Sequence, residues 1–111
     1  MYLKTASIKL RSDLDVADFD SVRTALAPAE RADEAVVDFT ELAFISATVL
    51  GCLVAVVNSM VAHNRLGVVR IVGANDRIMK VFRLCNAETL FDFSDTTWHG
   101  ASAIAERLSL N

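Results

Sequence analysis

The stretch that decides the fold is Val36–Leu53, which reads VVDFTELAFISATVLGCL. It opens within a short apolar run, Ala35–Phe39, whose polar flanks are typical of a buried strand. From Ser46 to about Asn64, apolar residues recur at helical spacing, and the remaining helix faces are apolar as well. The stretch therefore predicts a buried strand, a tight connection and a largely buried central helix.

Upstream of this stretch, the pattern is again a strand followed by a helix. Apolar and polar residues alternate within Tyr2–Leu10, as they do in a half-buried strand. Asp15 is placed to cap a helix that starts near Val16, since its carboxylate can accept hydrogen bonds from the first free amides. Pro28 ends this helix or lies just past its end. Its apolar face comprises Phe19, Val22 and Leu26.

Downstream, the alternation continues to the end of the chain. Val68–Val72 is a third strand, and Asn75 or Asp76 can cap the helix that follows it. The core stripe of that helix comprises Ile78, Val81, Phe82 and Cys85. Leu90–Phe93 is a short extended piece, and a last helix runs from about Trp98 to Leu108. This order predicts one α/β domain, residues 1–111, with a largely parallel sheet covered by helices.

Composition and charge narrow the function. The chain of 111 residues carries a formal net charge of −3, whereas proteins that bind the phosphate backbone carry a basic excess, so nucleic acid is not an expected partner. Cys52 and Cys85 belong to no metal-ligating cluster and are expected to be buried thiols in a reducing compartment. The amino terminus has no basic start followed by an apolar region, which favours the cytoplasm.

Residues that carry chemistry are sparse. Neither His63 nor His99 is accompanied by a nucleophile, and the four glycines are isolated, so no dinucleotide or phosphate-binding loop is present. The sequence therefore predicts no catalytic residue, no cofactor and no metal. Asp13, Asp15, Asp18 and Asp20 lack the glycine and glutamate of a calcium loop, which favours a capped, solvated helix face over an acidic rim for a basic partner.

Two further features leave alternatives open. Arg77, Lys80 and Arg83 form a basic stripe, which is either solvated or turned toward a partner or an anionic surface. No Asp, Glu, Lys or Arg occurs from Leu42 to Asn64, a length that could span a bilayer. Because polar residues interrupt this run and it continues from a strand, a helix packed on the sheet is favoured and a membrane partner is not expected.

The same residues resemble those of a known family, the STAS domains (sulfate transporter and anti-sigma-factor antagonist). In that family a strand ending in Asp precedes a short turn, an aromatic–aliphatic pair and the motif Asp-Ser-Ser/Thr-Gly-Leu-Gly at a helix start, and Val36–Leu53 is similar. Ser12–Asp15, Val81–Asn86 and Thr89–Phe93 also resemble family motifs in the right order. The resemblance implies a mixed, mostly parallel sheet of four to five strands with about four helices packed against it.

The resemblance also implies a role, which is to bind a protein partner such as an anti-sigma factor or a kinase-like regulator in transcription control. The family's partner phosphorylates the Ser of the helix-start motif, and the added charge ends binding. In this chain, Ala47 stands at that position, with Ser46 before it and Thr48 after it. Because alanine has no hydroxyl, this phosphorylation is chemically impossible at position 47.

Three hypotheses follow from this departure. The first is a constitutive binding module whose partner-binding residues are Asp13, Asp15, Ser46, Ala47, Thr48, Val49 and Leu50. The second moves the phosphorylation to Thr48, while Ser46 caps the helix. The third is a structural or membrane-associated regulatory subunit, in which the uncharged helix docks against a transporter or a second copy in a homodimer.

Overall fold

The architecture is a parallel sheet with helices, seen in a computed structural model that describes residues 4–12, 18–63, 65 and 67–93. The strands are β1 (Thr5–Lys9), β2 (Glu34–Asp38) and β3 (Val68–Val72), in the spatial order β1-β2-β3. The helices are α1 (Phe19–Glu30), α2 (Ala47–Ala62) and α3 (Asp76–Leu84), followed by a short 3₁₀ turn at Glu88–Leu90. The alternation predicted from the sequence is confirmed.

The sheet has two unlike faces, because its register aligns apolar residues across all three strands. Ile8, Val37 and Ile71 lie side by side on the buried face. Their neighbours Ser7, Val36 and Arg70 lie on the opposite face and are exposed or half-buried. In a parallel sheet with a period of two, this alternation commits one face to the core.

The helices complete a single core on the buried face. α1 packs on α2 and on β1. α2 contributes the largest group of buried side chains, which comprises Val49, Leu50, Cys52, Leu53, Val56, Val57 and Met60. From α3, Phe82 is fully buried and packs edge-to-face on Phe91 and Phe93, with ring centroids 5.3 and 5.0 Å away, and on Phe39 at 6.2 Å. Edge-to-face contacts of this kind add stability beyond the area they bury.

The predicted number of strands and helices differs from the structure. Within the described residues the sheet has three strands, all parallel, rather than the four to five of a mixed sheet, and three α-helices rather than four. The expected extended piece after α3 pairs with β3 only at one bridge, between Asp92 and Arg70, because the 3₁₀ turn occupies the residues before it. The expected helix from Trp98 to Leu108 lies outside the described residues.

The bounds of α1 correct two further predictions, one at its start and one at its end. α1 begins at Phe19 with Asp18 as its N-cap, rather than near Val16, and Asp15 lies outside the described residues. The helix also continues through Pro28 to Glu30, because the proline removes only one amide donor near the helix end while the next residue, Ala29, is buried.

Cys85 is exposed rather than buried, while Cys52 is buried as expected. α3 ends at Leu84, and Cys85 is its C-cap. The next residue, Asn86, has a positive φ of 55°, which turns the chain out of the helical path. The helical spacing that placed Cys85 on the core stripe therefore no longer applies at this position.

Candidate protein-binding site

The carboxyl ends of the three strands meet at one edge of the sheet, where Asp38 anchors the loop between β2 and α2. Its Oδ1 accepts hydrogen bonds from the backbone amide of Thr40, at 2.8 Å, and from the Thr40 hydroxyl. Partial burial raises the pKa of the Asp38 carboxyl, but the two hydrogen bonds and the nearby Lys9 outweigh it, so the pKa lies below its ordinary value. Asp38 is therefore a loop anchor held in its charged form.

Gly73 allows the next loop to approach this anchor closely. Its φ is +74°, a conformation that favours glycine, and it directly follows β3. A Cβ at this position would lie 3.0 Å from the Thr40 amide nitrogen and 3.1 Å from Oδ1 of Asp38. The backbone of Gly73 therefore packs directly against Thr40 and the Asp38 carboxylate, which brings the loops after β2 and β3 together at this edge.

Asn75 fastens the same two loops at a second point. Its Oδ1 accepts a hydrogen bond from the amide of Ile78 at 2.9 Å and so caps α3. Its Nδ2 donates to the carbonyl oxygen of Ala43, also at 2.9 Å. One side chain therefore begins a helix and fixes the middle of the neighbouring loop.

The fixed loop presents an aromatic ring to solvent. Leu42 and Ile45 are buried, whereas Phe44 between them is 41% exposed. Two buried anchors on either side of an exposed aromatic residue hold its backbone in place, so less chain freedom is lost on binding, which suits a protein contact. Phe44 is the aromatic residue of the aromatic–aliphatic pair in Val36–Leu53, but the sequence alone assigned it no binding role. The only signal for such a role was its position between two apolar residues.

The start of α2 continues this surface. Ser46 caps the helix, because its Oγ accepts a hydrogen bond from the Val49 amide at 3.1 Å, which confirms the predicted capping role. Ala47 is exposed and Thr48 is half-buried. The side chains of Val49 and Leu50 belong to the core, so among the members of the predicted set that the structure describes, the solvent-facing atoms are those of residues 46–48.

The structure brings together only part of the predicted partner-binding set. Ser46, Ala47 and Thr48 adjoin Phe44, while Asp13 and Asp15 lie outside the described residues. An ion pair between Nζ of Lys9 and Oε2 of Glu41, at 3.2 Å, borders the same edge. The arrangement offers an exposed aromatic ring and a methyl group beside two hydroxyl residues, with a charged border. In the described part of the chain, no three His, Cys, Asp or Glu side chains are placed to hold a metal ion.

A comparison of the sequence with known protein families identifies the family of this chain. Residues 3–92 match a family model described as "Mlab, STAS domain". No curated protein and no solved structure matches the chain significantly. The family model covers far more than half of the sequence, from β1 to the segment after α3. The chain therefore belongs to the STAS domain family.

Proposed function

We propose that this STAS domain is a non-catalytic protein-binding module of the anti-sigma-factor-antagonist type. Its partner would be an anti-sigma kinase or a related regulatory protein, bound through Phe44 and residues 46–48, here called the α2-start surface. The observation that carries this proposal is the exposed Phe44 beside the exposed Ala47, on a loop fixed by Asp38 and Asn75. An exposed aromatic side chain on a rigid frame is a common anchor in protein interfaces.

Ala47 gives the proposed module its constitutive character. It is the first residue of α2, the position at which the family carries the phosphorylated serine. An alanine methyl offers no acceptor oxygen, so the charge that would end binding cannot be added there. The domain would then remain bound to its partner whether or not a kinase is active.

The test of this proposal compares two charged variants of the tagged domain. Ala47→Asp places a carboxylate in the α2-start surface, whereas Asn58→Asp places the same charge on an exposed position of the same helix, three turns away. Proteins retained from native extract are identified by mass spectrometry, and the purified partner is then titrated against each variant. We expect the wild type and Asn58→Asp to bind alike and Ala47→Asp to lose at least about tenfold in affinity.

The two variants also decide how a failure is interpreted. Circular dichroism must first show that both retain the helical content of the wild type. If Ala47→Asp then binds the partner as tightly as Asn58→Asp does, the α2-start surface is not the contact, and the proposal is wrong in its location. If the partner proves unrelated to sigma-factor regulation, the antagonist role fails while the binding module remains.

A second candidate keeps the phosphorylation and moves it to Thr48. This residue lies in the first turn of α2 and is half-buried, and a phosphate near a helix amino terminus is electrostatically favourable. Incubation with candidate kinases followed by intact-mass measurement tests it, with Thr48→Val as the control. A gain of one phosphate in the wild type but not in the variant supports the switch, and no gain with an active kinase removes it.

A third candidate is a structural or membrane-associated regulatory subunit. α2 contains no charged residue, which suits packing against another helix or a second copy of the chain. None of the described helices is both long and apolar enough to cross a membrane. Recovery in a membrane pellet, or a dimer in size-exclusion chromatography with light scattering, would favour this candidate over the antagonist role.

A further inference from the structure

The outward side of α3 carries cations around an exposed leucine. Arg77, Lys80, Arg83 and Leu84, here called the α3 face, are all exposed. The opposite side of the helix, with Ile78, Met79 and Phe82, is buried in the core. We infer that the α3 face binds an acidic segment of the protein partner, one that presents carboxylates beside an apolar side chain.

The cations of the α3 face have no carboxylate partner among the described residues. The ion pairs found there involve Lys9 and Arg70, not Arg77, Lys80 or Arg83. Arg83 lies in the last turn of α3, where a cation stabilises the helix dipole, but Arg77 lies in the first turn, where a cation opposes it. Helix stability therefore accounts for Arg83 and leaves Arg77 to be explained by something outside the helix.

Leu84 makes this surface more than a solvated basic face. It is 73% exposed, the largest exposed fraction among the large hydrophobic residues that the structure describes. It lies two turns after Arg77 and one turn after Lys80, so the three side chains share one stripe. A partner that supplies carboxylates alone would leave this leucine in water, whereas an acidic segment with an apolar side chain would cover it.

The α3 face lies next to the α2-start surface. Asn75, which caps α3, donates its hydrogen bond to Ala43, the neighbour of Phe44. A partner that covers Phe44 is therefore within reach of Arg77 in the first turn of α3. The inference rests on the proposed function in this respect and adds to it the chemistry of the partner.

An acidic protein segment fits the α3 face better than an anionic lipid surface does. A helix that binds in a membrane interface turns its apolar side toward the lipid, but that side of α3 is buried in the core. Only Leu84 remains to enter a bilayer. The whole chain also carries a net charge of −3, so attraction of an acidic ligand must come from the local cluster rather than from the overall charge.

The test uses a synthetic peptide as the probe. It is a helix-forming peptide of about twelve residues that places Glu at positions three and four apart around one Leu. A second peptide has Gln in place of every Glu. Each is titrated into the ¹⁵N-labelled chain of 111 residues at low salt, and chemical-shift changes are mapped by nuclear magnetic resonance. We expect the Glu peptide to shift amides of residues 76–85 and the Gln peptide to leave them unchanged.

Charge-reversal variants make the result specific. The double variant Arg77→Glu and Lys80→Glu should weaken binding of the Glu peptide at least about tenfold. The double variant Lys4→Glu and Arg31→Glu changes the net charge equally at exposed positions outside the α3 face and should bind like the wild type. If charge reversal at α3 disturbs folding, neutralisation to Arg77→Gln and Lys80→Gln provides the same comparison.

The outcomes separate this inference from the proposed function. Shifts outside α3, equal binding by the two double variants, or binding of the Gln peptide would overturn the inference. So would binding to vesicles of anionic phospholipid in the absence of peptide binding. None of these results concerns the Ala47→Asp comparison, which tests the α2-start surface with the native partner, so failure of this inference is distinguishable from failure of the proposed function.

Discussion

The two cysteines differ in solvent exposure because one lies within a helix and the other just after a helix end. Cys52 lies within α2, and its side chain is in the core, whereas Cys85 follows the last residue of α3 and is exposed. Burial raises the pKa of the Cys52 thiol, with smaller effects from Arg23 and Glu30. Since the thiolate is the reactive form, burial and the raised pKa both slow the reaction of Cys52.

We therefore expect one fast and one slow thiol in the native domain. Under excess iodoacetamide at mildly alkaline pH, intact mass should show one rapid addition, at Cys85, and a second only on unfolding. Cys85→Ser should abolish the rapid addition, and Cys52→Ser should retain it. Rapid double alkylation of the folded wild type would contradict the burial of Cys52.

A second prediction at this scale concerns the acid sensitivity of the Asp38 anchor. Because its pKa is lowered in the folded state, its contribution to stability is present above its ordinary pKa and is lost as pH falls through the folded value, below about pH 4. Thr40→Val removes one of the two hydrogen bonds. The difference in free energy of unfolding between wild type and variant, from urea titrations, should shrink between pH 7 and pH 3. A difference that stays constant would show that Asp38 gains nothing from the Thr40 hydroxyl.

At the scale of the element, each described α-helix begins after a capping side chain, although the sequence predicted the start of α1 near Val16 rather than at Phe19. In each α-helix that the structure describes, an Asp, Ser or Asn side chain accepts a hydrogen bond from the amide three residues later, at Asp18, Ser46 and Asn75. Ser46 could be predicted because it stands directly before an apolar helical pattern, whereas the sequence left Asn75 and Asp76 as alternative caps for α3. Asp18 could not be separated from Asp15 by sequence, because four aspartates in this region offer equivalent caps.

Substitution by alanine should change the stability of the domain in opposite directions at Gly51 and Gly73. Gly51 lies inside α2 and is exposed, and a Cβ there would meet nothing within 4 Å. Gly51→Ala should therefore raise the free energy of unfolding by about 0.5–1 kcal/mol, through helix propensity. Gly73→Ala should lower it by roughly 1–3 kcal/mol, because of its positive φ and its contact with Thr40. Urea titrations of both variants check the two signs, and a stabilising Gly73→Ala would refute the close approach of the loops.

At the scale of the whole molecule, the sequence predicted the order of strands and helices, but it predicted their packing only in part. Periodicity distinguishes buried strands from helices, which is why β2, α2 and β3 lie close to their predicted bounds. The number of strands depends on how the piece after α3 meets β3, and no local pattern encodes that pairing. The loop that carries Phe44 is likewise held by a hydrogen bond between Asn75 and Ala43, which lie 32 positions apart in the chain.

The aromatic contact of Phe82 should make the domain unfold as one unit. It is fully buried and joins α3 to residues after β2 and after the 3₁₀ turn. Phe82→Ala should cost about 3–5 kcal/mol, a large part of the stability of a small domain. Its exposed neighbour is the control, since Leu84→Ala should change stability by less than about 0.5 kcal/mol. Circular dichroism and nuclear magnetic resonance should report the same urea midpoint, and two separate transitions would contradict a single cooperative core.

Arg70 has a consequence for how the chain avoids misfolding. On the less buried face of the sheet it pairs with Glu34, at 3.3 Å, and with Asp92, at 3.4 Å, and so joins β2, β3 and the segment after α3. If β3 paired one residue out of register, every side chain would change faces, and this guanidinium would enter the apolar side beneath the helices. Burying an unpaired charge is far costlier than losing a surface ion pair. Arg70 thus raises the free energy of the register shifted by one residue and favours the native pairing of β3 with β2 as the chain folds.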